Sequence, residues 1–304
     1  MSMRNGALPV LALLLGSTLW GVLWWPMRHF AAAGVSGPWL ILGVYALLAL
    51  PMGTWSWRHR RDWRGHGRAI LWLVFLGGWT NVAFMLALLH GEVIRVLLLF
   101  YLSPVWAIFA ARLFLHEAIG WRGAMAAALA VSGSALVVSK GQALGGWSTI
   151  TGNDLLAISS GLAFALSSVV LRADEGLADL HRATAVWVGC VLLALPLALL
   201  APLPRLHPGE MGFLLAFSWF WIAGATLLVQ YGVVRMAVSL SAVILPFEVI
   251  AGAASAWGLA GEVPSFTEIL GGMLILTAAF LQMTRRDAAP PMAPALSDGK
   301  ERRL

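Results

Sequence analysis

Ten runs of 19 to 24 mainly apolar residues fill the sequence between residues 7 and 284, separated by short breaks that hold charge, glycine or proline. The hydrocarbon of a bilayer is about 30 Å thick and is crossed by roughly 20 helical residues. Backbone groups find no water there, so each run must satisfy its own hydrogen bonds as a helix. The sequence predicts an all-α membrane protein of ten transmembrane helices, at 7–28, 36–57, 69–89, 92–115, 121–139, 154–172, 182–201, 210–230, 237–260 and 266–284. Charged residues make up 11% of the chain, less than half of the roughly 25% usual in a soluble domain. The Pro/Ala-rich, charged tail 285–304 is expected to be disordered.

Basic residues set the orientation. With a cytoplasmic N-terminus the inner segments hold Arg4, Arg58, Arg60, Arg61, Arg64, Arg68, Arg112, Arg122, Arg172, Arg182, Arg235, Arg285, Arg286, Lys300, Arg302 and Arg303, sixteen in all. The outer segments hold four: Arg28, Arg95, Lys140 and Arg205. The positive-inside rule then places both termini in the cytoplasm of a bacterial-type inner membrane. Trp39, Trp55, Trp57, Trp63, Trp121 and Trp147 fall at span ends, as in an interfacial aromatic belt.

Several function classes drop out. The net charge of +6 is dispersed over short loops, which argues against a nucleic-acid partner. Cys190 is the single cysteine, so no disulfide framework or cysteine metal site is expected. No phosphate-binding Gly-x-x-x-x-Gly-Lys-Ser/Thr loop occurs, and His116-Glu117 lacks the second histidine of a zinc-hydrolase helix. Neither an enzyme nor a cofactor is expected. The first run has Arg4 ahead of it and Ala31-Ala32-Ala33 behind it, like a signal peptide, but its length and its three tryptophans favour a span.

The chain repeats itself. Leu13 to Arg28 matches Ala157 to Arg172 at an offset of 144, with Trp20 against Phe164 and an arginine ending each. Leu102-Ser103-Pro104, followed by Glu117, matches Pro246-Phe247-Glu248-Val249, followed by Glu262, at 144 to 145. Five spans are an odd number, so the second copy enters the membrane upside down. Two inverted five-helix repeats are expected, in 1–145 and 146–284. In such folds the substrate site lies near the midplane where the copies meet.

Leu19-Trp20-Gly21, Tyr101-Leu102-Ser103-Pro104-Val105 and Glu117 thirteen residues after Pro104 together resemble the EamA family of the drug/metabolite transporter superfamily, over about 7–284. Within it, Arg95 to Trp106 is similar to the YddG-type aromatic amino-acid exporters. The resemblance implies a central cavity walled by helices 1, 3, 4, 6, 8 and 9. It also implies efflux of amino acids or related metabolites, and cavity aromatics at Trp20, Tyr101 and Phe164.

Among single residues Glu248 is the sharpest, a carboxylate near the middle of a span with no basic neighbour in sequence. Such a group costs a few kcal/mol or more to bury and marks a site by default. It can take a substrate ammonium or a coupling proton, or it can be a structural acid at a helix break. Trp20 and Trp24 share a helix face and, with Tyr101 and Phe164, offer aromatic surfaces to an apolar or cationic group; packing is the alternative for each. Pro104 and Pro246 each remove a helical hydrogen bond in corresponding helices, reading as gating breaks or simple kinks. Pro26, Pro51 and Pro196 read as kinks. Asn81, Ser167, Ser168 and Gln230 can hold a carboxylate or bond neighbouring helices. Glu92 and Arg95, at i, i+3 spacing, read as an interfacial ion pair or an outer vestibule.

The expected function is export of a small metabolite by alternating access, an amino acid with an apolar or aromatic side chain first, with proton coupling open. Small-molecule substrate and lipid are the expected partners. The alternatives are a drug or organic-cation exporter of the same superfamily, and a non-transporting membrane scaffold or sensor.

Overall fold

A computed structural model describes residues 7–114, 120–139, 150–174, 176–204, 207–236 and 244–283. The described residues hold helices and no strand. In chain order they are α1 (Ala7–Gly21), α2 (Trp24–Ala32), α3 (Gly37–Arg58), α4 (Gly67–Trp72), α5 (Gly78–His90), α6 (Val93–Phe100), α7 (Ser103–Phe114), α8 (Trp121–Ser139), α9 (Gly152–Ala173), α10 (Asp179–Leu199), α11 (Pro208–Ala216), α12 (Gly224–Arg235), α13 (Phe247–Ala260) and α14 (Phe266–Met283). Counted through short turns, six helical segments are long and apolar enough to cross a membrane: Ala7–Ala32, Gly37–Arg58, Gly67–His90, Gly152–Leu171, Asp179–Leu199 and Pro208–Val233. Val93–Ala107, Gly123–Ser139, Phe247–Ala260 and Phe266–Leu281 are shorter apolar helices. This is a multi-pass membrane protein. Glu117, Lys140, Arg205 and the tail from residue 285 lie outside the described residues.

Helix ends follow local chemistry. Thr151 and Asp154 form a reciprocal capping box at the start of α9, with Thr151 N donating to Asp154 (2.7 Å) and Asp154 N to Thr151 Oγ1 (3.2 Å). Ser265 and Glu268 do the same for α14. Gly261, with φ of +68°, closes α13 in the left-handed region that glycine enters freely.

Three spans are interrupted. Pro26 cannot donate to Val22 O, and a tightened turn at Val22–Leu23 separates α1 from α2. Pro104 likewise leaves Phe100 O without its helical donor, and a turn at Tyr101–Leu102 separates α6 from α7. A turn at Leu245–Pro246 precedes α13. Pro51 and Pro196 sit inside unbroken helices. Two π turns, Leu73–Gly77 and Phe217–Ala223, link α4 to α5 and α11 to α12, and nothing in the sequence announces them.

Packing pairs α1 with α12, α3 with α10, α5 with α9 and α8 with α14. The last pair closes backbone to backbone: a Cβ on Gly133 would stand 2.6 Å from Gly271 O. Small residues thus let α8 and α14 pack closely. α6 lies at the centre, buried from Val93 to Leu99 and touching α5, α8, α9, α13 and α14. Leu11, Leu15, Leu50, Trp72 and Phe220 are exposed, the apolar outer surface of a chain whose solvent is lipid.

Candidate functional site

The interruptions meet. α1 crosses α13 so closely that a Cβ on Gly21 would lie 2.3 Å from Glu248 O and 2.9 Å from Gly252 N. Tyr101, at the break after α6, donates its hydroxyl to Leu245 O across 2.9 Å and stands 3.4 Å from Glu248 Oε2. Leu245 O also accepts Glu248 N (3.1 Å). A carbonyl freed by one helix break is therefore held by a side chain from another.

Glu248 is partly exposed, in the first turn of α13. Among the described residues no arginine, lysine or histidine forms an ion pair with it. A carboxylate with about four acceptor positions and one distant hydroxyl neighbour keeps capacity for a cation or a proton.

Aromatic rings cluster beside Tyr101. Trp20, half-buried, precedes the crossing glycine. Phe100 packs edge-on to Tyr101 (centroids 6.0 Å apart) and against Phe164 (5.6 Å) and Phe84 (4.7 Å). Sequence reasoning named Trp20, Tyr101 and Phe164 but missed Phe100, although it adjoins Tyr101. It also missed Trp221, whose Nε1 donates to Leu19 O (2.9 Å). Leu23 N turns to Trp20 O (3.3 Å) at the break in the first span, which leaves Leu19 O for Trp221.

Other expected site residues are placed elsewhere. Trp24 is 3% exposed, donates to Ser255 Oγ (3.0 Å) and carries Arg28 over its ring at 5.0 Å; it does not share an open face with Trp20. Asn81 accepts from Tyr45 (3.0 Å) and donates to Gly77 O (2.9 Å), tying the π turn to α3. Ser167 and Ser168 both bond back to Phe164 O. Gln230, half-buried on α12, has no hydrogen bond among the described residues.

Arg95 has a partner that sequence spacing does not show. It is paired with Asp154 of α9: Nε and Nη2 reach the two carboxylate oxygens at 2.6 and 2.7 Å. Nη1 points at Val138 O (3.3 Å) at the end of α8. The pair is buried and joins three helices. An open pocket of about 320 Å³ lies beside it, lined by His90, Glu92, Thr151 and Asn153 among others. At the same end of the bundle Arg28 bonds Glu262 (3.1 Å) and Gly91 O (2.8 Å), while Glu262 also takes Val93 N (2.8 Å). No group of three or more metal-ligating side chains occurs among the described residues.

Residues 7–139, from the first residue of α1 to the last of α8, match the model of the EamA-like transporter family. No curated protein matches the sequence. A solved crystal structure shares the fold over 92% of this chain and 96% of its own, with a TM-score of 0.56 at 14% identity.

Proposed function

We propose that this protein is a secondary transporter of the drug/metabolite type, exporting a small amphipathic metabolite, preferentially an amino acid with an apolar or aromatic side chain. The EamA-like match over residues 7–139 supports the class. The reading takes ten spans as two inverted five-helix repeats, 1–145 and 146–284, with both termini cytoplasmic. Turns at 101–102 and 245–246, and π turns starting at Leu73 and Phe217, recur at one offset of 144. Tyr101 and Leu245, themselves 144 apart, meet in a hydrogen bond, as positions beside a two-fold axis would. Helix pairing agrees: α1 with α12 in one sense answers α9 with α5 in the other.

The observation that carries the reading is Glu248, partly open at a helix break and without a basic partner among the described residues. It receives the substrate ammonium, or a proton if flux is coupled. Trp20, Phe100, Tyr101 and Phe164 flank the side chain, and the Gln230 amide faces the carboxylate. The contact of Arg28 with Glu262 and Gly91 seals the outer end and must part when the site opens outward. In proteoliposomes, Glu248→Gln is expected to weaken substrate affinity at least tenfold and to flatten the pH dependence of transport. Unchanged affinity, rate and pH dependence would remove Glu248 from the site.

One observation favours an organic cation as the substrate instead. Arg28 and Arg95, the two arginines of the expected outer segments that lie among the described residues, are both committed to carboxylates, which leaves neither for a substrate carboxylate. Competition by a quaternary ammonium compound but not by phenylalanine would select that reading.

A further inference from the structure

The segment between α3 and α4 is built more firmly than a topological signal requires. Trp63 Nε1 donates to Ser56 Oγ (3.2 Å), Ser56 Oγ contacts His181 Nδ1 (2.6 Å), and His181 stacks on Trp55 at 4.9 Å. A 3₁₀ turn at Arg60–Trp63 and the left-handed Gly65, with φ of +87°, fold the chain back toward α4. His66 Nδ1 reaches Asp174 at 2.6 Å, which fastens the far side of the segment to the end of α9.

This frame holds Arg58, Arg60, Arg61, Arg64 and Arg68 exposed within eleven residues. Four of them, Arg58, Arg60, Arg61 and Arg64, line one open basin of about 760 Å³. The nearby acids are turned to histidines: Asp62, on the basin's rim, lies 3.5 Å from His181 Nε2, and Asp174 is held by His66. None of the five guanidiniums forms an ion pair among the described residues. Arg60 lies over the Trp57 ring at 5.6 Å. Trp57, Leu71 and Trp72, on the helices to either side, are more than half exposed and continue the apolar surface up to the basin.

We propose that this basin binds the phosphate headgroup of an anionic phospholipid. Guanidinium forks match phosphate oxygens, tryptophan suits the headgroup level of a bilayer, and clustered arginines beside a span attract anionic lipid. Free phosphate shares the charge chemistry but has no chains to lie against Trp57, Leu71 and Trp72. The proposal needs only that the helices span a membrane, and stands apart from the transport reading.

The test measures lipid retained by the purified full-length chain in zwitterionic detergent, using phosphatidylglycerol, phosphatidylcholine and inorganic phosphate as probes. Phosphatidylglycerol is expected to bind with preference over phosphatidylcholine, and millimolar phosphate to leave it in place. One guanidinium near an anionic surface is about a fivefold effect, so R58Q/R61Q/R64Q should bind about a hundredfold more weakly. Should that variant not fold, the unaltered chain is titrated with salt, and release of the lipid by about 0.5 M is expected. Equal retention of the two lipids, an unchanged triple variant, or retention indifferent to salt would overturn the proposal. Displacement by phosphate alone would assign the basin to free phosphate and overturn the lipid.

Discussion

Replacing Arg95 by Met should be among the most damaging single changes in this protein, although the residue touches no expected substrate group. The guanidinium and Asp154 are paired at 2.6 and 2.7 Å and are 6% and 2% exposed. Without Arg95 the carboxylate stays buried, with Thr151 N still donating to it (2.7 Å). Orphaning one member of a buried pair costs about 3–5 kcal/mol. Asp154→Asn keeps an acceptor for the cap, and the guanidinium retains Val138 O (3.3 Å), so it should cost less, about 2 kcal/mol. Once Asp154 is neutral, losing Arg95 strands no charge, and the double variant should recover about 1–3 kcal/mol of the summed loss. Glu92→Gln, at an exposed position, should stay within about 1 kcal/mol. Thermal unfolding of the purified proteins reads these values, since 1 kcal/mol shifts Tm by roughly 2–4 °C in a chain of this size; Arg95→Met should therefore lower it by roughly 6–20 °C. Strict additivity of the two changes, or Glu92→Gln as harmful as Asp154→Asn, would refute the pairing.

Tyr101→Phe removes the hydroxyl from Leu245 O, which keeps Glu248 N, so a loss of about 1 kcal/mol is expected, against about 3–5 kcal/mol for Tyr101→Ala. Equal Tm values for the two would show that the ring, not the hydroxyl, contributes nothing there. Gly21→Ala forces a methyl against Glu248 O and should destabilise by about 1–3 kcal/mol while weakening substrate binding. Gly258→Ala, with open space around it in the same helix as Glu248, should be neutral or stabilising by up to about 1 kcal/mol; similar losses for both would refute the tight crossing.

Six spans were legible because each must be a run of about 20 apolar residues, and their ends fall within four residues of the expected ones. Pro104 and Pro246 announced two interruptions; Pro26, read as a kink, follows a tightened turn at Val22–Leu23. What sequence spacing could not supply was partnership across helices. Arg95 had Glu92 three residues away, and spacing gave no sign of Asp154, 59 residues on, brought close by the packing of α6 on α9. The signal that existed was Thr151-Gly152-Asn153-Asp154, a capping box that places a carboxylate at a helix start. Asn81 looked equally able to face a cavity or a neighbour, and only the position of Tyr45 decided it. Trp24 shares a sequence face with Trp20, but packing against α13 buries it, with Ser255 and Arg28 as its partners.

The central claim is movement of an amino acid past Glu248 and Tyr101, and counterflow in proteoliposomes tests it most directly. Vesicles loaded with unlabelled phenylalanine should draw in labelled phenylalanine, with and without a pH gradient, and Tyr101→Ala should abolish the exchange. Absence of counterflow with phenylalanine, methionine and lysine alike would contradict the amino-acid assignment.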